Sequence, residues 1–434
     1  MNVVLLSGGS GKRLWPLSND TLSKQFLKLL KNDKGEYESM VQRVVRQMTT
    51  AHKDVNIFAS CNLTQDGILQ RQLGEIETIL EPSRRNTFPA IALAAAYLRY
   101  EKQMTEEDVF LVCPIDVFAD MKYFELLADV QNAVISGEGR IGLLGALPTY
   151  PTAKYGYIQQ SGGSVIGFVE KPPEEEAERL IAEGALWNCG VFALKVGHVL
   201  EHARKYVAFD SFEELHNKYD TLPKISFDYE VVEKETSINV TVYDGVWKDL
   251  GTWLTLTDEM HINTLGNVVM SDVCENTHAL NMLNTPLIVH DIKDAVVVAC
   301  HDGIMVSGKA KSATLKPLTE LITQRPMYEQ CRWGDYRVLD YKQGVKSSSL
   351  VKRLRINAGQ TMNYQYHNKR SEVWVIVSGR GVSTINGVDA NVSPGSVIHI
   401  PIKAKHSISA ITELELIEVQ LGEDELEEGD MVLI

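Results

Sequence analysis

Up to about residue 262 the apolar positions alternate between two patterns. Unbroken runs at Val3 to Leu6, Asp108 to Cys113 and Ile141 to Leu147 predict strands of a parallel sheet covered on both faces. Longer stretches between them predict helices. Pro89 to Tyr100 is rich in alanine and leucine, with a proline placed where a helix can begin. Pro173 to Gly184 opens on proline, carries three glutamates in its first turn and stops at glycine. Strands alternating with helices predict an α/β fold. From about Gly266 the pattern changes to short β-rich segments, including Leu287 to Val289 and Ala295 to Val298, with a helix-like piece near Leu315 to Ile322. After a break at Thr323 to Pro326, strands separated by Gly, Asn and Pro predict a small β-barrel. Examples are Val373 to Val377, the turn Asn386-Gly387, and Val397 to Ile400.

Composition narrows the function classes. The net charge of −14 argues against a general nucleic-acid binder, which needs a basic face. It does not exclude nucleotides, which a few local cations and Mg²⁺ can hold. No apolar stretch reaches the roughly 18 residues of a membrane span, and the apolar start at Met1 is too short for a signal peptide. Six scattered cysteines without a CxxC pair fit reduced thiols in a cytoplasmic protein.

The first predicted strand leads into Ser7-Gly8-Gly9-Ser10-Gly11-Lys12-Arg13-Leu14-Trp15-Pro16-Leu17. Glycines let backbone N–H groups approach an anion, and Lys12 and Arg13 add positive charge. A P-loop would need Ser or Thr where Arg13 stands, and a GxGxxG fingerprint would need glycine where Leu14 stands. The bland alternative is a glycine-rich turn with surface cations.

The longer string, Gly8 to Ser18 followed by Lys24-Gln25-Phe26-Leu27, resembles the signature of the sugar-phosphate nucleotidylyltransferases, and within them the mannose-1-phosphate guanylyltransferase group. Further strings follow in the family's order: Glu81 to Ala92 (EPSRRNTFPAIA), Pro114-Ile115-Asp116, Tyr155 to Ile158, Phe168 to Pro172 (FVEKP), Trp187 to Phe192, Ser226 to Tyr229 and Trp247 to Trp253. The resemblance covers residues 1 to about 322. Three departures, Phe88 for a small residue, Val117 after Asp116 and Cys189 for Ser, fall where the base or sugar pocket would be reshaped.

Nucleotidyl transfer is attack by a sugar-phosphate oxygen on the α-phosphorus of an NTP. It is catalysed largely by positioning and charge neutralisation. The glycine loop can supply N–H donors, and Arg13 and Lys24 can hold phosphates. Asp116 and Asp249 fall at the ends of predicted strands, where open α/β sheets bind ligands, and hard carboxylates there suit Mg²⁺. The resemblance implies that these two aspartates are metal ligands. It also implies that Gly8, Gly9, Gly11, Lys12, Arg85 and Asn86 hold the nucleotide, that Lys171 binds the sugar phosphate, and that Gly156, Glu170 and Asn188 face the sugar. Each has a bland alternative: strand-end aspartates often only cap turns, and Lys171 beside Glu170 can be a solvated ion pair.

The C-terminal segment carries Gly359, Gln365, His367, Glu372 and Gly379, then Gly395, Pro401 and His406. This resembles the two cupin motifs, and the isomerase domain fused to guanylyltransferases in bifunctional phosphomannose isomerases. Gln365 and His367 are two apart, so both face inward from one strand. With Glu372 and His406 they make a donor set suited to Zn²⁺ or another divalent metal, which can polarise a sugar carbonyl. A metal-free barrel with a polar interior is the alternative. The run His367-Asn368-Lys369-Arg370 departs from the family's pattern, and Leu433 stands where the resemblance implies a catalytic arginine.

The expectation is therefore an α/β nucleotidyltransferase domain with a mixed, mostly parallel Rossmann-like sheet (1–262), a β-rich linker (263–328) and a cupin β-barrel (329–434). The function implied is Mg²⁺-dependent transfer of GMP from GTP to mannose 1-phosphate. Its partners are those two substrates, with no nucleic acid or membrane and a homo-oligomer left open. Alternatives are another NTP or sugar 1-phosphate, an added isomerase activity, and a non-catalytic nucleotide-sugar sensor.

Overall fold

The computed structural model describes residues 1–8, 12–19, 21–162, 164–344, 347–422 and 430–434, without the side chain of Lys12. Gly9, Gly11 and the side chain of Lys12 therefore lie outside the described residues. The chain divides into two units. One comprises Met1–Gly11 and Ser23–His261, the other Lys12–Leu22 and Ile262–Ile434.

The first unit is built on a nine-stranded sheet. Its order is Glu77–Glu81, Asn56–Asn62, Asn2–Leu6, Val109–Pro114, Leu186–Lys195, Ile141–Ala146, Ile238–Tyr243, Ser164–Glu170 and Gly156–Ser161. Leu186–Lys195 and Ser164–Glu170 pair antiparallel with their neighbours, and the rest share one direction, so the sheet is mixed as expected. The uniformly apolar runs form the buried centre, where Val3, Val4, Leu111, Val112 and Leu143 are fully enclosed. The helix Thr87–Tyr100 is apolar on every side and buried almost throughout. It begins two residues before Pro89 because Asn86, at φ 75°, caps it: Asn86 Oδ1 accepts from Thr87 N at 2.9 Å. Pro89 still falls in the first turn, where its missing N–H leaves no bond unmade. The helix Glu174–Ala182 follows Pro173 and ends before Gly184, which has φ 85°.

The second unit opens with a coil of short parallel strands. Thr264–Gly266, His278–Asn281 and Ala295–Cys300 lie side by side, Gly303–Gly308 adds antiparallel, and Val268–Met270 pairs with Leu287–Val289. Lys12–Leu22, inside the glycine-loop signature, packs with this coil. A Cβ on Gly303 would stand 2.6 Å from the Trp15 ring, and Asn19 Nδ2 donates to Asp302 at 2.6 Å. The helix expected near Leu315 to Ile322 is only a 3₁₀ segment, Lys309–Thr314, and a single turn, Lys316–Thr319. Leu318 and Leu321 are exposed, so no apolar face is available to stabilise a longer helix.

Residues beyond Met327 form two antiparallel sheets. One runs Tyr328–Gln330, Gly334–Lys342, Ser348–Ile356, Leu414–Gly422, Arg370–Ser378 and Val397–Ile400. The other runs Val388–Val392, Gly381–Ile385, His406–Ala410, Gln365–His367 and Met431–Leu433. Trp374, Leu354, Ile356, Ile408 and Leu416 fill the core of this barrel. Asn386 and Gly387 both have positive φ, 49° and 80°, the turn expected between two strands.

Candidate active site

A cleft of about 490 Å³ opens in the first unit. Leu6, Asn62, Glu81 and Pro114 line it, and each is the last residue of its strand. The cleft thus lies at the carboxyl edge of the sheet, where open α/β folds bind ligands. Gly8, Arg85, Asn86, Asp116, Gly156, Glu170, Lys171, Asn188 and Asp249 all reach it.

Asp116 immediately precedes the strand Val117–Ala119 and Asp249 ends its partner Trp247–Asp249, whose register sets Asp249 opposite Val117 and so beside Asp116. Both converge on Lys24: its Nζ is 2.8 Å from Asp116 Oδ2 and 3.0 Å from Asp249 Oδ1. Burial works against the ammonium, but the two carboxylates outweigh it and raise its pKa above the ordinary lysine value. Lys24 is charged at any physiological pH. Two carboxylates gathered by one cation, each about a third exposed towards an open cleft, also fit a divalent metal that keeps several waters. Gly251 supports Asp249, because a Cβ there would stand 2.9 and 3.0 Å from the carboxylate oxygens.

The sugar-side residues form a second group. Lys171 has φ 50°, a conformation costly for a residue with a Cβ, and its ammonium contacts Glu170 Oε1. Burial opposes the Lys171 charge and Glu170 restores it, so its pKa is raised. A Cβ on Gly156 would stand 2.5 Å from Glu170 Oε2, so the close approach of that strand needs glycine. Asn188 Nδ2 donates to Asp228 Oδ1 at 2.8 Å, and Asn188 Oδ1 accepts from Gly190 N at 3.0 Å.

On the opposite wall Arg85 is tied back, donating to Leu222 O from Nε at 3.1 Å and from Nη2 at 2.8 Å. Asn86 Oδ1 is engaged in capping. Arg13 is exposed and belongs to the stretch that packs with the second unit. Of the three departures, Val117 and Cys189 line the cleft, whereas Phe88 is buried in the core, edge-to-face with Tyr206 at 5.9 Å between ring centroids. The expectation that Phe88 reshapes the pocket is thereby corrected: the first helical turn directs it into the core.

Three kinds of lining residue were missed. Glu81 accepts from Ser60 Oγ at 3.1 Å and from Tyr219 OH at 3.0 Å, and burial pushes its carboxyl up. Tyr155 and Trp247 form an aromatic wall, 4.9 Å between centroids. Asp228 is pushed up to about 6 by burial and by Glu170. Glu81, Tyr155, Trp247 and Asp228 all stand within the family-like strings, which was the available signal.

In the second unit His367, Glu372 and His406 converge, with ligand atoms within 4.8 Å of one another, the only such group among the described residues. His406 Nδ1 is 2.9 Å from Ala404 O, which fixes the ring so that Nε2 points inward, 3.5 Å from Glu372 Oε2. His367 Nε2 lies 2.9 Å from Glu372 Oε1, yet neither ring nitrogen is aligned for a hydrogen bond. Buried nitrogens with free lone pairs beside a carboxylate fit a transition metal. The Gln365 amide stands at the edge of the group, 3.5 Å from His406 Nε2. Behind it Gln420 links Glu372, at 3.2 Å, to Glu418. The strand Met431–Leu433 lies along Gln365–His367, with Leu433 exposed opposite Gln365.

Residues 2–264 match the nucleotidyl transferase family and 319–434 the C-terminal mannose-6-phosphate isomerase family. The chain is 31% identical to a mannose-1-phosphate guanylyltransferase of Escherichia coli (strain K12), over 99% of this chain and 96% of that protein. It is 30% identical to the alginate biosynthesis protein AlgA of Pseudomonas aeruginosa, over 98% and 95%. Among solved structures, one titled mannose-1-phosphate geranyltransferase from Thermus thermophilus superposes with a TM-score of 0.60 at 27% identity, covering 74% of this chain and 98% of that one.

Proposed function

We propose, from the premise that this chain belongs to the mannose-1-phosphate guanylyltransferase family of nucleotidyl transferases, that it transfers GMP from GTP to mannose 1-phosphate and releases pyrophosphate. One observation carries the reading: Asp116, Lys24 and Asp249 converge at the carboxyl edge of the sheet, in a cleft that also holds Lys171, Glu170 and Asn188. Asp116 and Asp249 would hold Mg²⁺, which when bound supplies charge neutralisation at the phosphates. Lys24 places a permanent positive charge beside them, available to the anions that meet there. Lys171 offers the sugar phosphate its ammonium, and Glu170 and Asn188 orient the hydroxyls. The aromatic wall of Tyr155 and Trp247 lines the same cleft. The unpaired state of all six cysteines supports a reducing, cytoplasmic setting. No helix among the described residues is long and apolar enough to cross a membrane.

The test supplies Mg²⁺, each NTP and a panel of sugar 1-phosphates, and reads pyrophosphate release. GTP with mannose 1-phosphate should exceed every other pair. A different preferred pair would keep the reaction class and overturn the substrates; no release with any pair would favour the non-catalytic sensor.

The geometry of His367, Glu372 and His406 supports a second reading: the barrel binds Zn²⁺ or another divalent metal, with Gln365 beside it. Isomerisation of mannose 6-phosphate should be weak or absent, because Leu433 offers no charge to a phosphorylated open-chain sugar and a polarising metal alone seldom suffices.

A further inference from the structure

We propose that Asp228 is a positioning residue of the sugar subsite, fixing the Asn188 amide so that one N–H remains for an oxygen of the sugar phosphate. The inference rests on the guanylyl-transfer reading above and adds a residue to it.

The geometry leaves Asn188 little freedom. Strand Leu186–Lys195 bulges after Asn188, its register against Ile141–Ala146 shifting before Phe192, and Gly190 takes φ 70°. Asn188 Oδ1 closes that bulge by accepting from Gly190 N at 3.0 Å. This fixes which end of the amide is oxygen and turns Nδ2 towards Asp228, where Oδ1 accepts at 2.8 Å. An amide nitrogen carries two hydrogens, so one donor remains on a side chain that lines the cleft.

Asp228 is itself held in place. It lies in the one-turn helix Phe227–Glu230, where Ser226 Oγ accepts from Tyr229 N at 3.3 Å and Phe227 N donates to Thr87 Oγ1 at 2.8 Å. A neutral residue could close this contact as well. A half-buried carboxylate beside a second one, Glu170, is a costly way to hold one amide and points to a functional site. Glu170 disfavours its charge and Lys171 favours it, while Asn188 favours it through the hydrogen bond. Tyr229 and Glu230 flank it on its own helix, with Glu230 occupied by Tyr206 and Lys234. With its carboxyl pushed up to about 6, Asp228 loses its charge as pH falls through that value. The ionised form accepts the Asn188 N–H more strongly, so sugar-phosphate capture should weaken on the acid side.

The test compares wild type, Asp228→Ala and Asp228→Asn in pyrophosphate release from GTP and mannose 1-phosphate. Wild-type turnover comes first, and its absence would overturn the guanylyl-transfer reading and this one with it. Given turnover, Asp228→Ala should raise KM for mannose 1-phosphate about tenfold or more and leave KM for GTP within about twofold. Asp228→Asn keeps an oxygen for the Asn188 N–H, so it should recover most of that loss while flattening the fall of kcat/KM below pH 6. The substrate's own phosphate titrates in the same range in both enzymes and cancels in their ratio. Equal rises in both KM values would overturn the proposal, as would a wild-type ratio to Asp228→Asn that does not change with pH. The asparagine variant decides the matter if the alanine variant does not fold.

Discussion

The two polar centres of this protein hold charge in opposite ways. In the cleft, Asp116 and Asp249 are 34% and 30% exposed, and one internal ammonium bridges the two. In the barrel, the side chains of His367, Glu372 and His406 are 2%, 1% and 0% exposed, and neither ring nitrogen of His367 has a hydrogen-bond partner. An open site with hard oxygens suits a hydrated ion that arrives and leaves with phosphates. A closed site of nitrogens and one carboxylate suits an ion that stays. The contrast teaches that neighbouring carboxylates are not one kind of site; exposure and partner atoms decide whether charge is exchanged or fixed.

The largest expected effect breaks the open centre. Asp116→Asn or Asp249→Asn should lower turnover by roughly 100- to 1,000-fold at saturating Mg²⁺, because charge neutralisation is the main catalytic contribution. Circular dichroism should show the fold retained. Near-wild-type rates in both variants would remove the metal assignment.

Next comes the closed centre. His406→Ala should weaken divalent-metal binding by about tenfold or more, read by calorimetry on the full chain, without changing guanylyl transfer. Chelation should lower the melting temperature of wild type and leave this variant little changed. Robust conversion of mannose 6-phosphate to fructose 6-phosphate, abolished by His406→Ala, would instead make the barrel an isomerase and break the contrast between exchanged and fixed charge.

A smaller effect sharpens the geometry of the open centre. Gly251→Ala should cut kcat by about tenfold, since its Cβ would press on the Asp249 carboxylate from 2.9 Å. Stability should change by about 1 kcal/mol or less in chemical denaturation. Unaltered kcat would mean that Asp249 can shift without consequence. The smallest effect is structural. Tyr219→Phe removes a donor from buried Glu81 and should cost about 1 kcal/mol. A neutral result would show that Glu81 finds another partner.

Local strings made much of this legible. The apolar runs at Val3 to Leu6 and Ile141 to Ala146 reported strands because both faces of each are largely enclosed, which leaves an unambiguous pattern; Leu147, at the end of the second run, lies past the strand and is exposed. The pair Gln365 and His367 was readable because strand residues two apart share a face. The boundary at Pro89 was not, because the cap at Asn86 depends on an unusual φ that asparagine tolerates but does not announce. Leu315 to Ile322 misled for the opposite reason: Leu318 and Leu321 stay exposed, so the segment buries too little apolar surface to hold a longer helix.

What the sequence by itself determined was the order of elements, the kinds of ligand atom at each centre and the resemblance in reaction class, all carried by contiguous residues whose spacing fixes their chemistry. Tertiary structure decided the partners. Lys24 meets Asp249 across 225 positions, Arg85 reaches Leu222 across 137, and Asn188 meets Asp228 across 40. Periodicity reports which face of an element is buried. It says nothing about which distant side chain will stand opposite, because that is set only when sheet order and register bring the strand ends together.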